Sequence, residues 1–215
     1  GKNASISNSH ASGNVIGASS YVGGLVGRNA AGSGASVPGT ATGGNAIVQD
    51  SSATGAVIGS AYGVGGLIGL SQNGSRPSTY DFMTYPYTYR YGGYGGVAMI
   101  NRSFATGAVS SIYQRAGGLV GENYGTIAQS FSTSNLTANH AAGGLVGVNW
   151  DSGSISDSYA RGSVSGNSAE IGGLVGNSFG SITRSYATGA VTGSATDKGG
   201  LIGYYGSGSV TSSYW

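Results

Sequence analysis

The chain has 215 residues, of which 44 are glycine, none is cysteine and only 7% are charged, with a net charge of +2. The absence of thiols excludes a disulfide framework and a thiolate metal site, and nine Lys and Arg against seven Asp and Glu are too even a balance for a nucleic-acid surface. Three prolines without a three-residue glycine register exclude collagen, and 39% hydrophobic residues at so small a net charge argue against disorder.

Read from the N-terminus, the first element runs from Ile6 to Val15. Its pattern is an apolar residue, two polar residues, Ser, often an aromatic, Ala, Thr, Gly, any residue and Val. The pattern returns from Val48 to Val57, Ile100 to Val109, Ile127 to Leu136, Ile155 to Val164 and Ile182 to Val191, with a partial copy from Val210 to Trp215. Between the copies stands Gly-Gly-Leu-[Val/Ile]-Gly, with its leucine at Leu25, Leu67, Leu119, Leu145, Leu174 and Leu201. The copies start 42, 52, 27, 28, 27 and 28 residues apart, so the base period is 27–28 and the first two intervals carry insertions. A period of this size marks a solenoid.

Gly, Ser, Thr, Val and Tyr dominate each repeat and no 3.6-residue apolar stripe is present, which disfavours helix and predicts two short strands per repeat. One repeat buries too little apolar surface to offset the entropy of ordering it, so the repeats must stack and share a core. The expected fold is all-β: a parallel β-helix of about six to seven coils, forming one domain over residues 1–215. The leucines of the glycine motif and the valines closing the first pattern are its expected core.

Stacking turns repeat positions into columns. Ser9, Ser51, Ser103, Ser130, Ser158, Ser185 and Ser213 form one, suited to tight packing or a hydroxyl ladder. The next position holds Phe104, Phe131, Tyr159, Tyr186 and Tyr214, with His10 and Ser52 in the early coils. Core stacking is the favoured reading of these rings, with an outward binding or assembly stripe as the alternative. Asn8, Asp50, Arg102, Gln129, Asp157, Arg184 and Ser212 read as a solvated face in which Asp157 and Arg184 pair one coil apart. Thr54, Thr106, Thr133 and Thr188 form a column that Arg161 interrupts.

The first insertion, about 30–46, is a plain Ala, Gly, Ser and Thr loop with Pro38. The second, about 71–97, carries Tyr80, Phe82, Tyr85, Tyr87, Tyr89, Tyr91 and Tyr94, and its tyrosines alternate from Tyr85 to Tyr91. Alternation puts those rings on one face of an extended strand. They are candidate binding residues for a glycan or a surface protein, the other reading being a cover over an apolar flank of the rod.

Gly-Gly-Leu-Val-Gly at 23–27, 117–121, 143–147 and 172–176 resembles the GLUG motif of bacterial secreted proteins, and Ser-Tyr-Ala-Thr-Gly at 185–189 and Ser-Tyr-Trp at 213–215 are similar to the elements between such motifs. The resemblance covers nearly the whole chain outside the insertions. It implies an extracellular or cell-surface bacterial protein of adhesin-like type, and it carries over no catalytic residue, because the motif is a structural unit. No leader is visible ahead of the repeats, as expected of a mature form or an excised piece.

No catalytic, metal or cofactor site is read from the residues, and no cofactor is expected. Carbohydrate cleavage needs carboxylates converging on one face, and Asp50 and Asp157 are the two acids that share a column, with Arg102 and Gln129 between them. No apolar run approaches the length of a bilayer span. The expected protein is a non-catalytic, structural stalk or fibre-forming subunit associated with adhesion. It associates with itself head to tail or continues a longer solenoid, and it needs neither nucleic acid nor membrane insertion. The alternative is a binding module acting through the tyrosine-rich loop 80–94.

Overall fold

Four ladders of strands stack repeat positions on their counterparts in the next coil, with shifts of register in the third ladder between Ser111 and Gln114 and between Ala138 and His140. A computed structural model describes residues 3–33, 43–74, 78–81, 88–91 and 95–215, the segments 78–81 and 88–91 by their backbone only. Among these residues all regular structure is strand, and the molecule is the parallel β-helix that the repeats predict.

Sheets A to D follow the order in which each coil passes through them. Sheet A has seven strands, Ala4–Ser7, Ala46–Gln49, Ala98–Asn101, Thr126–Ala128, Ser154–Ser156, Ser181–Thr183 and Ser209–Thr211. Sheet B consists of six two-residue strands, from His10–Ala11 to Tyr186–Ala187. Sheet C begins at Val15–Gly17, and its middle coils form long bent strands such as Val109–Gly117 and Val164–Gly172. Sheet D has six strands, from Val26–Ala30 to Ile202–Tyr205. In sheet A the apolar residue heading each repeat pairs with the next: Ile6 with Val48, then Ile100, Ile127, Ile155, Ile182 and Val210.

Each full coil thus crosses four sheets, with four strands in the middle coils and five where the sheet C strand is split at its bend, not the two predicted from sequence. A single residue in the left-handed region makes the corner between sheets A and B. Asn8, Asp50, Arg102, Gln129, Asp157, Arg184 and Ser212 all sit there, with φ between 45° and 51°. A second such corner divides the long strands of sheet C, at Tyr21, Arg115, Ala141 and Glu170, with Gly63 in the second coil. One-residue corners leave no run of turn residues for the sequence to display.

The left-handed corner turns the following amide away from the backbone ladder, and the serine column replaces the lost partner. Each serine Oγ donates to the carbonyl two residues back in its own coil, as Ser130 does to Ala128 at 2.7 Å and Ser158 to Ser156 at 2.7 Å. The same oxygen accepts the N–H of the serine one coil earlier, from Ser9 to Ser51 through Ser185 to Ser213, at 3.1–3.2 Å. Each hydroxyl so satisfies one buried carbonyl and one buried amide.

Two apolar columns fill the interior. Val48, Ile100, Ile127, Ile155 and Ile182 of sheet A pack with Ala53, Ala105, Ala160 and Ala187 of sheet B and with the motif residues of sheet D. Leu67, Leu119, Leu145 and Leu174 are fully buried there, while Leu25 and Leu201 are half-buried in the outer coils. Val57, Val109, Leu136 and Val164 form the second column beneath sheet C, with Ile171 in the same cluster. The paired glycines let the two sides of the coil meet. A Cβ on the second glycine of a pair, such as Gly144, would run into the carbonyl of Gly173 and the Cβ of Ala160.

Two expectations follow from this packing. Gly144→Ala should destabilise the chain by about 1–3 kcal/mol through overpacking. Ser130→Ala should cost about 1–3 kcal/mol by orphaning the Ser103 amide. Equilibrium denaturation followed by circular dichroism checks both, with Thr133→Ala on the exposed face as a near-neutral control.

Candidate functional site

Both insertions leave the rod at the same corner, between sheet D of one coil and sheet A of the next. Their necks are joined: Gly32 N–H donates to Gly44 O, Gly96 N–H to Gly32 O and Gly74 N–H to Gly96 O, at 2.8–2.9 Å. Arg28 Nη2 donates to Gln72 Oε1 at 2.7 Å beside them, next to a polar hollow of about 70 Å³. In the second insertion Ser78–Asp81 and Thr88–Tyr91 form an antiparallel hairpin that sets Tyr80 opposite Tyr89 and Ser78 opposite Tyr91. Phe82, Tyr85, Tyr87 and Tyr94 lie outside the described residues, as does Pro38 of the first insertion.

The aromatic column faces outward, contrary to the favoured core reading. In each two-residue strand of sheet B the second residue, Ala or Ser, turns in against the glycine pair, and the first must point out. Phe104, Phe131, Tyr159, Tyr186 and Tyr214 stack with centroids 4.9, 4.9, 5.1 and 5.4 Å apart and planes within 10° of parallel. A second ladder, unrecognised in the sequence, runs along the corner that bears the insertions: Tyr124, Trp150 and Phe179 stack at 5.4 and 5.5 Å. Its signal was an aromatic five residues after the motif leucine in three successive repeats. In both ladders the ring faces are used by neighbouring rings. Edges are left for a ligand, which disfavours stacking of a sugar ring on them.

Among the described residues three arginine–carboxylate pairs form within the rod. Asp157 and Arg184 form the anticipated bidentate pair at 2.6 and 2.7 Å, and Asp50 and Arg102 form another at 2.7 and 2.8 Å. Hydrogen bonds from these arginines hold both carboxyls below the ordinary aspartate range. Glu122, 2% exposed, takes both bonds of Arg115 Nη1 at 3.2 Å and the Trp150 Nε1–H at 3.1 Å. The Arg115 guanidinium is itself held between the Tyr62 and Trp150 rings, 5.0 and 5.3 Å from their centroids. Burial, and then the charge of Glu122, push the Tyr124 phenol up.

Other polar groups combine in ways the columns did not suggest. His10 Nδ1 meets Ser52 Oγ at 2.8 Å, but Ser52 is buried in the stack between His10 and Phe104, so this contact closes the early end of the aromatic column. Glu170 and Asp197 share the second corner column, beyond the pair of acids read from sequence. Glu170 accepts from Asn177 Nδ2 at 3.1 Å and lies 3.6 Å from His140 Nδ1. Among the described residues no group of three His, Asp or Glu side chains is placed to hold a metal ion, and no helix is long and apolar enough to cross a membrane.

The model of the GLUG motif matches residues 138–165 and 167–192, two adjacent coils free of insertions. These two coils are GLUG repeats, and the other coils share their motif and register. No curated protein and no solved structure matches it. In GLUG terms the two leading glycines are the close contact between the sides of the coil, the leucine is core, and the closing glycine passes beneath the left-handed corner. A Cβ on Gly176, for example, would meet the backbone of Ala141 and Ala142.

Because the Asp157 carboxyl is held low, its contribution is present above the unfolded-state value and is lost as pH falls through the lower folded value. An NMR titration should place its midpoint below an ordinary aspartate, and Arg184→Gln should return it to that range. An unchanged midpoint in the variant would assign the shift to something other than Arg184.

Proposed function

We propose that this GLUG-repeat chain is a non-catalytic structural module of the bacterial cell surface or extracellular matrix, a solenoid stalk or fibre-forming subunit associated with adhesion. The observation that carries the reading is the use of functional groups within the rod. The hydroxyls of the Ser9–Ser213 column are consumed by the inter-coil ladder, ring faces by the aromatic stacks, and the carboxylates of Asp50, Glu122 and Asp157 by arginines. Groups spent on holding coils together stiffen the stack and are not free to act on a substrate. Parallel strands stacked coil on coil suit pairing with a further coil, whether of the same chain or of another copy.

A second reading is favoured by the joined necks of the insertions, which set the tyrosine-rich hairpin on a rigid base. There the hairpin is a recognition element for a glycan or protein, and the solenoid presents it.

Electron microscopy of the protein from its native source, without denaturant, separates the two. The fibre subunit predicts filaments with an axial repeat of about 30–35 Å, seven coils at one strand spacing each. Dispersed particles that bind an immobilised glycan array only with Tyr85 to Tyr91 intact would overturn it in favour of the hairpin. Release of reducing ends from a polysaccharide would overturn both.

A further inference from the structure

Tyr62 and Tyr113 lie on successive coils at the corner within sheet C, outside both stacked ladders, with the Arg115 guanidinium between Tyr62 and Trp150 of the second. Their rings meet edge to face, with centroids 4.9 Å apart and planes at 89°. Tyr62 Oη donates to Tyr113 Oη at 3.4 Å, and Tyr113 is 46% exposed. We propose that this pair is a site of oxidative cross-linking, where a one-electron oxidant of the peroxide-and-peroxidase class joins the two rings through the carbons ortho to their hydroxyls.

The geometry distinguishes this pair from the stacked tyrosine pairs of sheet B. The new bond lies in the plane of each ring and brings the two hydroxyls side by side, with the rings twisted out of a common plane. Tyr62 and Tyr113 already have adjoining hydroxyls and crossed planes. Tyr159 and Tyr186, and Tyr186 and Tyr214, lie face to face with planes 10° and 5° apart, so one ring of each pair must leave the stack and turn before the twisted biaryl product can form. The step balances simply. Each phenol loses one electron and one proton, the two radicals couple, both rings regain aromaticity by losing the ortho hydrogens as protons to the phenoxyl oxygens, and one peroxide is reduced to two waters. Arg115 covers a face of Tyr62, which leaves the more exposed Tyr113 as the first ring to be oxidised.

The link would join the second coil to the third across the tyrosine-rich insertion. In a chain without cysteine it would do the work of a disulfide, removing freedom from the unfolded chain while leaving the native contacts in place.

The full chain, treated with hydrogen peroxide and peroxidase and then digested, tests the idea by mass spectrometry. The expected product is a monomer lighter by two hydrogens. It should yield a cross-linked peptide joining the segments of Tyr62 and Tyr113, and its urea midpoint should rise. That peptide should vanish in Tyr62→Phe and in Tyr113→Phe and persist in Tyr205→Phe. The wild-type peptide map decides the matter even if a variant folds poorly. Cross-links confined to the insertion, to the stacked ladders or to pairs of separate chains would overturn the proposal.

Discussion

The left-handed corner between sheets A and B is the constraint on which the rest of this solenoid depends. It turns the chain in one residue, and it withdraws the next amide from the strand ladder. A buried amide without a partner would cost about 1–3 kcal/mol in each coil, so every coil needs an acceptor at that spot. The serine hydroxyl of the following coil supplies it at 3.1–3.2 Å throughout. Because the acceptor belongs to the next coil, the hydrogen bond that repairs the corner is also one that holds neighbouring coils in register.

Register then determines what else a column can contain. An in-register stack sets like on like, which suits serines and parallel rings and is unfavourable for like charges. The first-corner column avoids like neighbours by alternating Asp50 with Arg102 and Asp157 with Arg184. The aromatic ladders accept repetition because their rings overlap in parallel along the axis. The interior accepts it because isobutyl and isopropyl groups pack at strand spacing once the glycine pairs bring the two sides of the coil together. This explains why a chain with so few charges folds as a rod: most polar groups in the body of the coil have their partner one level away.

Much of this was legible in the residues. The period, the positions of the insertions, the serine column and the Asp157–Arg184 pair all follow from aligning the repeats, since a solenoid converts sequence period directly into spatial neighbours. The facing of the aromatic column did not follow, because a two-residue strand is too short for alternation to show which side is inward. The presence of Ala or Ser beside each ring was the clue, and its meaning depended on knowing that the glycine pair lies opposite. The Tyr124, Trp150 and Phe179 ladder was visible as a fixed offset from the motif leucine, but it occupies only three repeats and sits where the earlier coils carry insertions.

The amino-acid sequence by itself determined that this protein is a stack of 27–28-residue GLUG coils with a leucine-lined interior, because identical local instructions can only be satisfied together by piling one copy on the next. Only the tertiary structure decided how each coil bends, which way its rings point and which distant residues meet. The passage of each full coil through four sheets rests on single left-handed residues of varied identity. The joined necks of the insertions, the Arg115–Glu122–Trp150 cluster and the Tyr62–Tyr113 contact bring together residues from different coils at corners where the repeat pattern varies. Those contacts depend on side-chain direction at a bend, which is set by backbone torsion and by the coil beneath, not by periodicity along the chain.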